Sequence, residues 1–158
     1  MKLFILRHGR SPSAIDAGVS RDFDRPLSKQ GREDVRKTAA HLGRLSGRPT
    51  LILASPFIRA QQTAQEVREV LKPAPELRTY EPLSNKMIGM DLYRHIVEDD
   101  AGQEETLVVG HQPQLGELAT YLTGAFFDLK PGGIIAVQTD DHGKARVLWS
   151  ANPADIPS

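Results

Sequence analysis

No cysteine occurs anywhere in the 158 residues. That absence removes disulfides, thiolate nucleophiles and thiolate-rich metal sites together. Net charge is absent as well. Twenty Lys and Arg balance twenty Asp and Glu, so no global field draws the chain onto nucleic acid or an anionic membrane, and any anion site has to be local. Long apolar runs are missing too. The start offers four consecutive apolar residues, Leu3 to Leu6, before Arg7 and His8. That is too short for a signal-peptide core or a membrane span, so a cytoplasmic protein is expected. No low-complexity tract, fixed-period repeat or composition shift marks a boundary, and the length suits one domain spanning residues 1–158.

What is present is ordinary globular composition, with 39% hydrophobic and 25% charged residues, which disfavours disorder and leaves His, carboxylate and Arg side chains for chemistry. Leu3 to Leu6, Leu51 to Ala54 and Leu107 to Gly110 are short continuous apolar runs, the pattern of strands buried on both faces. Each leads into a helical segment. Ser28 is placed to cap a helix running to about Ser46, with Val35, Leu42 and Leu45 on one face. Ser55-Pro56 reads as an N-cap and first helical position for a helix to about Leu71, and a third helix runs from about Gln114 to Leu122. Leu77 to Tyr80 suggests a short strand and Asp91 to Glu98 a helix. Gly133 to Thr139 and Ala145 to Ser150 flank Asp140-Asp141-His142-Gly143 as a terminal hairpin. Repeated strand, turn, helix units predict an α/β fold: a three-layer sandwich whose mainly parallel central sheet carries helices on both faces. Ligands of such folds bind beyond the C-terminal strand ends.

Those ends are where the unusual residues fall. Arg7-His8-Gly9 closes the first strand, Arg59 follows Ser55-Pro56, and His111 follows Gly110. Two imidazoles and two guanidiniums thus meet on one rim. Arg grips phosphate oxygens bidentately and keeps its charge, and helix N-termini add N–H donors for the same anion. A neutral imidazole can attack phosphorus and carry the phosphoryl group covalently. His8 is the expected nucleophile, with Gly9 expected to let a ligand approach the backbone. The guanidiniums disfavour protonation of His8 and stabilise the equatorial oxygens. Paired imidazoles also serve as metal ligands, but their partners here are arginines without an accompanying carboxylate cluster, so no metal or cofactor is expected. The polar stretch from Arg10 to Pro26 is a candidate functional loop. His41, His95 and His142 receive no role.

Leu6-Arg7-His8-Gly9-Arg10-Ser11 resembles the defining motif of the histidine phosphatase superfamily, the phosphoglycerate mutase-like fold. Ser55 to Ala64, Gly110-His111 and Arg25-Pro26-Leu27-Ser28-Lys29-Gln30-Gly31 complete that pattern. The short chain is similar to the SixA-type phosphohistidine phosphatases, and the resemblance covers nearly all of it. It implies a covalent phosphohistidine on His8, with Arg7, Arg59 and His111 around the phosphoryl group and Arg25 as an additional phosphate ligand. Larger members typically have insertions that cover the pocket and a carboxylate that protonates the leaving group. Here little chain is left for a lid between Arg59 and His111, and Glu81 is the candidate for the acid.

The expectation is a metal-independent hydrolase with a role in signal transduction, acting on phosphohistidine of a partner protein. An N–P bond to imidazole needs less help from an acid than an alkyl ester does. A small-molecule phosphomonoester phosphatase is the alternative within the family, and a non-catalytic phosphate-binding module the alternative of another class. The intact pair His8 and His111 counts against the latter. A mutase would need an enclosing sugar-acid pocket, for which no segment is suited.

Overall fold

The computed structural model describes residues 1–99 and 103–158. In chain order the elements are β1 (Lys2–Arg7), α1 (Ala14–Ala17), α2 (Lys29–Arg44), β2 (Leu51–Ala54), α3 (Ile58–Val70), β3 (Glu76–Thr79), α4 (Gly89–Asp99), β4 (Glu105–Gly110), α5 (Gln114–Thr123), β5 (Ile134–Thr139) and β6 (Ala145–Ala151). They build one six-stranded sheet in the order β3-β2-β4-β1-β5-β6. β3, β2, β4 and β1 run parallel. β5 joins β1 antiparallel and continues into the expected hairpin with β6. The fold is therefore the expected α/β sandwich with a mainly parallel sheet.

Strand side chains alternate between faces, and the two faces carry separate cores. Leu3, Ile5, Leu51, Leu53 and Val108 pack with Leu92 and Ile96 of α4 and Leu115, Leu118 and Leu122 of α5. Phe4, Leu6, Ile52, Leu107 and Val109 pack with Val35, Ala39 and Leu42 of α2 and Ala60, Ala64 and Val67 of α3. A strand buried on both sides has no polar face to show, which is why these strands read as unbroken apolar runs. Leu45 departs from the expected stripe: it follows the end of α2 and is exposed.

Ser28 caps α2 as expected, its side chain accepting from the Gly31 N–H. α3 starts later than expected. Phe57, not Ser55, holds its N-cap position, without a side-chain cap. The Ser55 hydroxyl is used elsewhere, accepting from the Phe57 N–H at 3.3 Å and bonding His111 at 2.7 Å. The loop after β1 contains the one-turn helix α1 and a 3-10 turn at Asp22–Asp24.

Gly9 has a different purpose from the one expected of it. A Cβ there would lie 2.8 Å from both the Gly31 carbonyl oxygen and Val35 Cγ2. It faces the start of α2 rather than open space. A Cβ on Gly31 would in turn lie 2.3 Å from the Arg10 carbonyl oxygen. The two glycines let the chain leaving β1 cross the first turn of α2 in contact, and that crossing sets where His8 points.

Candidate active site

The parallel register aligns the chemistry. Arg7 pairs with Gly110, and Ala54 with Val109, so β1 and β4 end level, β2 ends one residue earlier, and His8 and His111 follow side by side just beyond Ser55. The His8 N–H donates to the Gly110 carbonyl at 3.0 Å and the Ser55 N–H to the Val109 carbonyl at 2.9 Å. The His8 and His111 rings lie 5.1 Å apart, centroid to centroid. Sequence positions far apart thus converge as expected for Arg7, His8, Arg59 and His111.

His8 is held in one tautomer. Its Nδ1 lies 2.7 Å from the Gly9 carbonyl oxygen, which can only accept, so Nδ1 carries the proton. On the other side Arg59 Nε donates to His8 Nε2 at 3.4 Å. The free lone pair of Nε2 therefore faces the guanidinium. Burial is the main cause that pushes the His8 pKa down to about 3. The positive charges of His111, Arg59 and Arg7 add to it, while the bond to Gly9 opposes it. His8 is neutral at ordinary pH.

His111 is buried and its Nε2 meets the Ser55 hydroxyl. Burial, then Arg59, lower its pKa to about 4, with Asp22 pulling the other way. The Phe57 ring stands edge-on to His111 at 4.9 Å and lies 5.1 Å from the Arg59 guanidinium carbon, fixing both from one side.

Arg7 donates through Nη1 to the Leu129 carbonyl at 2.9 Å. Its buried Nε has no hydrogen-bond acceptor within the described residues. Burial lowers its pKa, but from so high a starting value the guanidinium stays charged. A buried cationic donor without an acceptor is costly, and an anionic oxygen would satisfy it.

Arg25 bonds to the loop that carries it. Nε donates to the Pro12 carbonyl, Nη2 to the Ser11 carbonyl and Nη1 to Asp22 Oδ1 at 2.9 Å. Its link to the cluster runs through Asp22, whose Oδ2 accepts from Arg59 Nη2 at 3.1 Å and whose backbone carbonyl accepts from Arg59 Nη1 at 2.9 Å. Glu81 is exposed, bonded to Ser84 and paired with Lys86, which holds its carboxyl below the usual range. Among the described residues no group of three or more His, Asp or Glu side chains could hold a metal ion, and no helix is long and apolar enough to cross a membrane.

Asp22, Ser55 and Thr63, whose hydroxyl accepts from the Gly9 N–H at 3.1 Å, are the site residues that the sequence did not reveal. Asp22 sits in Arg21-Asp22-Phe23-Asp24-Arg25, inside the polar stretch from Arg10 to Pro26 expected as a functional loop, where no pattern singled out this carboxylate.

Residues 3–90 match the family model described as the histidine phosphatase superfamily (branch 1). Over 164 residues the chain is 30% identical to the phosphohistidine phosphatase SixA of Escherichia coli, covering 99% of this chain and 96% of that protein. An uncharacterized protein of Picosynechococcus is 32% identical over 93% of this chain and 88% of its own. Among solved structures, the protein histidine phosphatase SixA complexed with tungstate superposes with a TM-score of 0.87 at 26% identity, over 98% of both chains. The alpha-ribazole phosphatase of Shigella flexneri, at 20% identity and a TM-score of 0.70 over 100% of this chain and 99% of that one, shares the fold.

Proposed function

The chain belongs to the histidine phosphatase superfamily, and from that premise we propose that it removes phosphate from phosphohistidine on a partner protein, through a covalent phosphoryl group on His8. The observation that carries it is the state of His8: neutral, protonated on Nδ1 toward Gly9, with the Nε2 lone pair facing the Arg59 guanidinium.

Two displacements follow. His8 Nε2 attacks phosphorus, a P–N bond to His8 forms, and the bond to the leaving nitrogen breaks as that nitrogen takes up a proton from solvent water. Because His8 keeps its Nδ1 proton, the phosphorylated ring is cationic and a good leaving group. Water then attacks phosphorus, the P–N bond to His8 breaks, neutral His8 returns, and phosphate departs with the oxygen of that water. Arg7 and Arg59 stabilise the equatorial oxygens throughout, and His111 hydrogen-bonds one of them.

Two features favour a protein-borne phosphohistidine over a small ester. Glu81 is ionised and paired with Lys86, a poor state from which to protonate an alkoxide; an imidazole nitrogen is protonated more readily. The segments that hold the site also bear strongly exposed apolar side chains. Ile15, in the loop that carries Asp22, is 91% exposed, and Phe126, close in sequence to the Leu129 that anchors Arg7, is 86% exposed. Such side chains suit contact with a macromolecule. The relative named phosphohistidine phosphatase, similar along its whole length, points the same way.

The test is kcat/KM for a protein phosphorylated on histidine against that for a small alkyl phosphate. We expect a ratio on the order of a hundred or more, roughly 3 kcal/mol of differential transition-state stabilisation. An alkyl ester that performs equally well replaces this reading with the small-molecule one.

A further inference from the structure

We infer that Asp22 is a positioning residue that decides which edge of Arg59 faces the phosphoryl group. The inference rests on the reading of His8 as the phosphoryl carrier.

A guanidinium offers five N–H donors on two usable edges. One is the end edge, across Nη1 and Nη2, and the other the side edge, across Nε and Nη2. Asp22 takes the end edge with two different acceptors, its backbone carbonyl on Nη1 and its carboxylate Oδ2 on Nη2. What remains is the side edge. Its Nε already points at His8 Nε2, so a phosphoryl group bonded to that nitrogen meets the side edge without displacing Asp22. Rotation of the guanidinium would break both bonds to Asp22.

The clamp is itself held. The second carboxylate oxygen of Asp22 accepts from Arg25, whose other nitrogens grip the Ser11 and Pro12 carbonyls of the same loop. Next to Asp22, the Phe23 ring packs on Phe57 at 5.1 Å, and Phe57 also lies against Arg59. Arg25 thus acts on the site through Asp22. Proton donation is the obvious other use for a carboxylate here. The two arginines oppose it: the bond to Arg25 first, then Arg59, hold the Asp22 carboxyl below its usual range, and both of its oxygens are occupied by guanidiniums.

The test is a double-mutant cycle on the full chain with p-nitrophenyl phosphate as probe, reading kcat and KM separately. Asp22→Ala is expected to lower kcat about tenfold or more with KM changed by less than about threefold. Arg25→Gln should give a smaller loss in the same direction. In an Arg59→Lys background, where there is no fork to orient, Asp22→Ala should cost no further kcat. Asp22→Asn, which keeps an oxygen for Arg59, covers the case in which the alanine variant fails to fold, and should lie between alanine and wild type. An unchanged kcat in Asp22→Ala, or an equal loss in the Arg59→Lys background, overturns the inference. His8→Ala run alongside separates the two levels: if it turns over at the wild-type rate, the phosphoryl-carrier reading fails, whereas a dead His8→Ala beside a fully active Asp22→Ala removes only the clamp.

Discussion

Arg59 Nε lies 3.4 Å from His8 Nε2, donor against acceptor. The contact is possible only while His8 is unprotonated on Nε2, and the Gly9 carbonyl on the far side of the ring enforces that state. One side chain therefore holds the Nε2 lone pair of the proposed nucleophile in place before substrate arrives.

His8→Ala should abolish turnover and leave no trappable phosphoenzyme in rapid quench, while circular dichroism and the unfolding midpoint stay close to wild type, because the side chain closes a strand end rather than filling a core. Turnover near the wild-type rate would remove His8 as carrier.

Stability should fall as the solution is acidified from about pH 6.5. Both site histidines have folded pKa values, about 3 for His8 and about 4 for His111, below the ordinary value near 6.5. Between those limits the unfolded chain binds more protons than the folded one, so the unfolding free energy rises with pH. The stabilisation is fully present above about pH 6.5 and is lost as pH falls through the folded values. Melting temperatures of wild type and His8→Asn, compared at pH 7 and pH 5, should show a smaller acid drop in the variant. Equal drops would show that His8 does not titrate with folding.

Exhaustive chelation should leave activity intact. On the proposed reading Arg7 and Arg59 neutralise the phosphoryl charge from within the chain and neutral His111 adds a hydrogen bond, so no cation is required for that task. Loss of activity with EDTA and its return with a divalent cation would overturn the expectation.

Gly9→Ala should destabilise the fold by about 1–3 kcal/mol, the usual cost of overpacking. The new methyl meets the Gly31 carbonyl and Val35. Urea unfolding measures the loss. Because the displaced backbone carries His8, kcat should fall as well. A variant with wild-type stability would mean that the crossing over α2 relaxes freely.

Glu81→Gln should change phosphohistidine hydrolysis less than about twofold, since the carboxylate is already engaged by Lys86. A large loss would restore Glu81 as the acid.

Much of this was legible in the sequence, for definite reasons. Leu3 to Leu6, Leu51 to Ala54 and Leu107 to Gly110 are apolar on every residue because both faces of the sheet are covered, and they end within one residue of each other at Arg7, Ala54 and Gly110. Strand ends of a parallel sheet are where ligands bind, so Arg7, His8 and His111 could be placed together from pattern alone. The start of α3 was misplaced because Ser55-Pro56 looks like a helix cap while its hydroxyl serves His111. Gly9 was misjudged because its neighbour in space, Gly31, lies across the loop. Asp22 escaped for the same reason: its bonds to Arg59 join residues whose relation exists only after folding.

The strand order carries one more consequence. β1 and β2, which deliver His8 and lead to Arg59, are not neighbours; β4 lies between them and pairs with both. β4 is also late in the chain. During synthesis His8 and Arg59 emerge long before the strand that sets their spacing, so a nascent chain can fold α2 and α3 locally without assembling the pocket. The spacing of His8 and Arg59 depends on β4 pairing with both earlier strands. Catalytic competence should therefore appear in one late step of folding, and time-resolved refolding ought to show helical signal ahead of any capacity to form phosphoenzyme.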